Sequence, residues 1–172
     1  LYSEQRMTIK NQGKNFFINS SLILIIFLLD RISKIYVINL NKKFFGSEIF
    51  SSKYLNIILI WNEGIAFGLF SAIDKHWYNF LTIIIFFIAL IILVMSIKQE
   101  GAQKYFLLIV LGGALGNLYD RVVFKAVPDF IDLHVENFHW FIFNIADIFI
   151  TFGVIMLILW EILPPNKEYE KK

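Results

Sequence analysis

The sequence contains no cysteine and only three histidines, His76, His134 and His139. The first absence excludes a disulfide framework, a thiolate metal site and a cysteine nucleophile. The second leaves no spacing that resembles a zinc site, so no metal or other cofactor is expected. An excess of one charge is also missing: 16 Lys and Arg stand against 14 Asp and Glu, and no arginine-rich stripe gathers the basic residues. Nucleic acid is therefore not an expected partner. Any catalysis must come from oxygen and nitrogen groups.

What the chain has instead is apolar length. Of its 172 residues, 58% are hydrophobic and 19 are Phe, with mean hydropathy +0.64, too oily for a water-soluble domain of this size. Residues 1–6, LYSEQR, precede Met7 and read as a remnant of an expression vector or of upstream sequence, so they are set aside. Four apolar runs follow, at about 16–38, 77–97, 105–121 and 138–160. Each is long enough, at about 1.5 Å per residue, to cross most or all of a hydrocarbon layer of about 30 Å. Segment 39–75 has short β-branched runs between Gly, Asn and Ser and reads as β-rich. Residues 122–137 read as a connector and 167–172 as a tail. The expected fold is an all-α membrane protein: four transmembrane helices, with a small extracytoplasmic β-rich segment between helices 1 and 2, in a single domain over 7–166. Lys and Arg are denser in the N-terminal arm, the short turn at 98–104 and the tail than in the two longer loops. The positive-inside rule then puts both termini in the cytoplasm, and the β-rich segment and the connector on the outer face.

Polar residues interrupt these runs where a plain span should have none. An ionisable side chain at membrane depth costs roughly 2.5–3.5 kcal/mol, so each is a functional candidate. Asn144 and Asp147 are three apart and Asn117 and Arg121 four apart, so each pair shares a helix face. The two stripes are expected to face each other, with Asp147 about a third of the way along the last span and Asp129 arriving from the connector at similar depth. Two carboxylates in one pocket cannot both ionise, and such a pair can activate water as an aspartic peptidase does. The spacing equally allows Asp129 to cap a turn while Asp147 forms a buried salt bridge with Arg121. Asp30 and Lys34 suit an i,i+4 ion pair near a membrane boundary. Arg31 is expected to snorkel to the headgroups. Asn62, Gly64 and Ala66 fit an ordinary turn.

Taken in order, D-R-x-x-K (Asp30 to Lys34), N-E-G-I-A-F (Asn62 to Phe67), G-G-A-L-G-N-L-Y-D-R (Gly112 to Arg121), V-P-D-F (Val127 to Phe130) and F-N-I-A-D (Phe143 to Asp147) closely resemble the signal peptidase II family of bacterial inner membranes. The resemblance implies catalytic aspartates at Asp129 and Asp147. It implies polar residues lining the site at Asn117, Arg121 and Asn144, and substrate seating by Asn62 and Gly64. Asp30, Lys34 and Asp120 become supports of the pocket, while Asp132 and His139 receive no role. The implied activity is removal of the signal peptide from prolipoproteins, just before a lipobox cysteine that already carries diacylglycerol. Partners would be that substrate, membrane lipid and globomycin-type cyclic peptide inhibitors, with the enzyme a monomer. The polar stripes alone would also suit a proton-coupled transporter or an assembly factor whose polar residues hold helices together.

Overall fold

The computed structural model describes residues 2–64 and 75–163, with side chains described for 15–64 and 78–163. Residues Ile65 to Phe67 of the N-E-G-I-A-F motif, the rest of 65–74 and the tail from 164 lie outside the described residues. The elements run α1 (Tyr2–Lys43), β1 (Phe50–Ser51), β2 (Leu55–Asn62), α2 (Lys75–Lys98), α3 (Gly101–Val123), β3 (Val127–Val135), β4 (Phe138–Phe143) and α4 (Ile145–Ile162).

Among the described residues, three helices are long and apolar enough to cross a membrane, one each within α2, α3 and α4. Their burial sorts them. Over half of the apolar stretch of α3 is buried in the protein, 56%, against 11% for α2 and for α4. A mostly exposed apolar helix needs an apolar solvent, whereas α3 is the axis on which α1, α2 and α4 pack. Its glycines make this possible. A Cβ on Gly113 would lie 2.6 Å from the Ala146 carbonyl oxygen of α4, and one on Gly116 would lie 2.5 Å from Asp30 Oδ2 of α1. Only a residue without a side chain lets both neighbours come this close to α3.

The four strands form one antiparallel sheet in the order β1-β2-β3-β4. It sits where α1 and α3 end and α4 begins. This corrects the expectation of a β-rich segment confined to the stretch between helices 1 and 2. Segment 122–137, expected as a connector, supplies β3, and Phe138–Phe143, expected to open the last span, is β4. The reason is local. FHWFIF is apolar on every residue but one, so hydropathy alone cannot tell a two-sided strand from the start of a helix. The two-residue turn at Glu136 and Asn137 folds the chain back, with Glu136 in the left-handed region at φ 52°. Along the second half of β3 burial alternates, Asp132 and His134 inward, Leu133 and Val135 outward.

Candidate active site

The last helix begins with a capping box. Asn144, in extended conformation, accepts at its side chain from the Asp147 N–H at 3.2 Å, and Asp147 Oδ2 accepts from the Asn144 N–H at 3.1 Å. The F-N-I-A-D motif is therefore a helix start, in which a polar N-cap and an acid three residues on satisfy one another's backbone donors. Asp147 lies in the first turn of α4, not a third of the way along it as expected. The N-cap followed by an acid at the third position was the signal in the sequence for this boundary.

Asn144 also reaches the other aspartate. Its side-chain N–H donates to Asp129 Oδ1 at 2.6 Å, while the Asn62 amide donates to Asp129 Oδ2 at 2.9 Å. Asn62 is held in turn, accepting from the Gly64 N–H at 2.9 Å in a local Asx turn. On the other flank the Asn117 amide donates to Asp147 Oδ1 at 2.8 Å. One residue, Asn144, thus hydrogen-bonds both carboxylates, Asp129 through its side chain and Asp147 through its backbone N–H. The alternative in which Asp147 pairs with Arg121 is not what these groups do. Arg121 donates to the carbonyl oxygens of Asn117 at 3.2 Å and Gly64 at 3.3 Å, tying α3 to the turn after β2.

Beneath the pair lies a buried ionic cluster. Lys34 Nζ is within 3.0 Å of Asp30, donates to Asp120 Oδ2 at 2.6 Å and to Asn117 Oδ1 at 2.8 Å. Arg31 grips Asp120 with both terminal nitrogens, donates to Asp30 at 2.8 Å and stands 4.8 Å from the Tyr119 ring centroid. Arg31 therefore does not snorkel; its fork finds a carboxylate inside the protein, and the geometry of a planar guanidinium over a ring favours that site. Asp30 is more than Lys34's partner, since its Oδ1 also accepts from the Ala146 N–H of α4 at 3.1 Å. Two acids and two bases balance within this cluster, so it holds Asn117, and through it Asp147, without adding net charge. The spacing of Asp30 and Lys34 revealed their pairing, but nothing in it revealed Asp120 and Arg31 as the other half.

Asp129 sits on β3, outside the helices, and is 4% exposed. Burial, and next the neighbouring Asp147, push its carboxyl from the ordinary 3.8 up to about 6, against the opposing pull of the Asn62 and Asn144 amides. The folded protein then holds this proton more tightly than the unfolded chain does. The stabilisation is full below about pH 4 and is lost as pH rises through about 6, a swing on the order of 3 kcal/mol. In detergent, the melting temperature of the wild type should fall relative to Asp129→Asn as pH is raised across that window. Parallel curves for the two proteins would contradict the burial.

The chain matches the family model described as Signal peptidase (SPase) II over residues 22–163. It is 49% identical over 159 residues to the lipoprotein signal peptidase of Pelagibacter ubique (strain HTCC1062), covering 92% of this chain and 96% of the relative. To the lipoprotein signal peptidase of Anaplasma phagocytophilum (strain HZ) it is 42% identical over 138 residues, 80% of this chain and 87% of the relative. A bacterial membrane enzyme solved by the in meso method superposes with TM-score 0.65 at 28% identity, over 90% of this chain and 93% of the solved one. The matched span runs through all five motifs, from Asp30 in α1 to Asp147 in α4, and the chain belongs to the signal peptidase II family.

Proposed function

We propose that this chain is an aspartic endopeptidase of the bacterial inner membrane that removes the signal peptide from diacylglyceryl-modified prolipoproteins, cutting just before the lipidated cysteine. The observation that carries it is the pairing of Asp129 and Asp147 around Asn144. In this reading one carboxylate takes a proton from a water held between the two as it attacks the scissile carbonyl. The other, protonated, donates to the developing oxyanion and then assists departure of the amine. The proton belongs to the pair and not to either member. Arg121 offers one positive charge against the pair, so a single shared proton leaves the site neutral. Asn62 and Asn144 orient Asp129, Asn117 orients Asp147, and Gly64 helps seat the peptide.

For this reading α1 is the fourth crossing, its apolar half supported by the exposed Phe16, Phe17, Leu24 and Ile25. Both termini are then cytoplasmic, and the sheet and the dyad lie at the outer surface. The lysine and arginine distribution supports that orientation. The exposed Tyr54, Trp61 and Trp140 of the sheet region, aromatic residues of the kind that sit at a membrane interface, support a place for the sheet at a membrane surface. A substrate with two acyl chains stays in the bilayer, which suits a dyad where water and lipid both reach. The enzyme acts as a monomer, and cyclic peptides of the globomycin type compete for the same site.

The test compares a diacylglyceryl-modified prolipoprotein with its unlipidated twin in detergent or liposomes. Cleavage of the lipidated form alone is expected. Equal cleavage of both, or of neither, would remove the lipid from substrate recognition or the peptidase reading itself.

A further inference from the structure

We propose that the β3–β4 hairpin carries a binding site for one divalent transition-metal ion of the zinc class, with Asp132, His134 and His139 as ligands. The three residues each present a ligand atom, and these atoms all lie within 4.8 Å of one another. The sheet produces the cluster in two steps. A period of two puts Asp132 and His134 on the same buried face of β3, and the hairpin register sets His134 directly opposite His139. The three ligands lie within eight residues, as D-x-H-x4-H, but without a second ligand pair of Cys or His that spacing does not mark a zinc site in the sequence.

Hydrogen bonding explains two of the three residues. His139 Nδ1 lies 2.8 Å from Asp132 Oδ2 and 3.0 Å from Oδ1, an ordinary imidazole–carboxylate contact. His134 is the residue this leaves over. It is 8% exposed, its ring stacks on that of His139 at 5.0 Å between centroids, and its buried Nδ1 has no hydrogen-bond partner among the described residues. A polar nitrogen buried without a partner costs about 1–3 kcal/mol, and a metal ion is one way to satisfy the site.

The surroundings are those of a supported ligand set. Asn56 donates to Asp132 Oδ2 at 3.3 Å, and Ser51 Oγ donates to Asn56 Oδ1 at 2.9 Å, so the carboxylate is oriented from β2 and β1. The His139 side chain is half exposed, which gives an ion a way in. Two imidazoles and one carboxylate suit zinc, cobalt or a similar ion with water completing the shell, and do not suit calcium or magnesium, which prefer oxygen. Ligand atoms around a tetrahedral ion stand roughly 3.4 Å apart. Reaching that from the present spacing asks for the His139 ring, half exposed but stacked on His134 and bonded to Asp132, to exchange its contact with Asp132 for one through the ion.

Binding would tie β3 to β4 beside the register shift between Asp132 and His134. Asp129 lies three residues before Asp132 on β3, and β4 leads directly into Asn144. The ion would thus fix the hairpin that brings Asp129 and Asn144 together, a structural role separate from the chemistry of the dyad.

The experiment uses the full chain, free of any histidine tag, in detergent and stripped with a chelator. Cobalt is titrated by its visible absorption and zinc by calorimetry, for the wild type, His139→Gln, His134→Gln and Asp129→Asn. Expected are one saturable equivalent in the wild type and in Asp129→Asn, and binding weakened about tenfold or more in either histidine variant. Because His139 is half exposed, its variant keeps the fold even if His134→Gln does not. Absence of saturable binding, or binding unchanged in His139→Gln, would overturn the site. Loss of binding in Asp129→Asn alone would place the ion at the dyad and overturn it too. None of these readouts depends on peptide cleavage, so the site stands or falls apart from the proposed activity.

Discussion

Asp147→Asn is expected to lower prolipoprotein cleavage by about a thousandfold while leaving the fold in place. The substitution keeps the shape of the side chain. Its remaining oxygen can still accept from the Asn144 N–H and hold the start of α4, but its new amide faces the Asn117 amide, whose own oxygen is committed to Lys34. One hydrogen bond is lost, about 1 kcal/mol, or a few degrees in melting temperature. What disappears entirely is the carboxylate that ionises or carries the shared proton, and a positioned acid or base contributes roughly 10²–10⁴ in rate. Asp129→Asn should behave alike. A variant that melts close to the wild type and cleaves at a rate within about tenfold of it would take Asp147 out of the chemistry. This ratio of activity loss to stability loss also separates a peptidase from a protein whose polar stripes only hold helices together.

Asp120→Ala should do the reverse and cost the fold about 3–5 kcal/mol. Asp120 is fully buried and accepts two hydrogen bonds from Arg31 and one from Lys34. Without it, two buried cations share Asp30 alone, and Asp30 is also the acceptor for the Ala146 N–H that docks α1 against α4. An uncompensated buried charge is far more costly than the loss of an ion pair at a surface. Thermal or denaturant unfolding in detergent reads this out, and little protein is expected to survive purification. A stable, well-folded Asp120→Ala with abolished cleavage would instead move Asp120 from support of the site into the reaction.

Much of this site was legible because its residues were misplaced by every bland rule. Asp30 with Lys34, Asn117 with Arg121 and Asn144 with Asp147 stand in apolar runs at spacings of three or four that put each pair on one helix face, while the supporting role of Asp120 is legible only through the family resemblance. The apolar runs themselves located α2 and α3 to within a few residues. What stayed hidden were the features that arise only from pairing distant parts of the chain. The sheet joins 50–62 with 127–143, and no periodicity in FHWFIF distinguishes β4 from the first turns of a span. Arg31 read as a headgroup anchor because its partner, Asp120, lies 89 positions away. Spacing puts Asn144 on a helix face, while its position at the N-cap is what lets it bind both aspartates at once. The proposed metal ligands are near in sequence, and what joins them is the hairpin register that sets His134 opposite His139.

The pH dependence of kcat/KM for the lipidated substrate, from about pH 4 to 9, reads the shared proton itself. A dyad that works with one shared proton is active only between its two apparent ionisations. A shared proton gives a bell whose alkaline limb falls by about tenfold per pH unit as the last proton leaves. The Asp129 carboxyl, raised to about 6 by burial and next by Asp147, puts a proton on the pair above the ordinary carboxylate range. A rate that climbs through pH 5 and then stays level to pH 9 would mean that the fully ionised pair is competent, and would contradict the shared proton on which the mechanism rests.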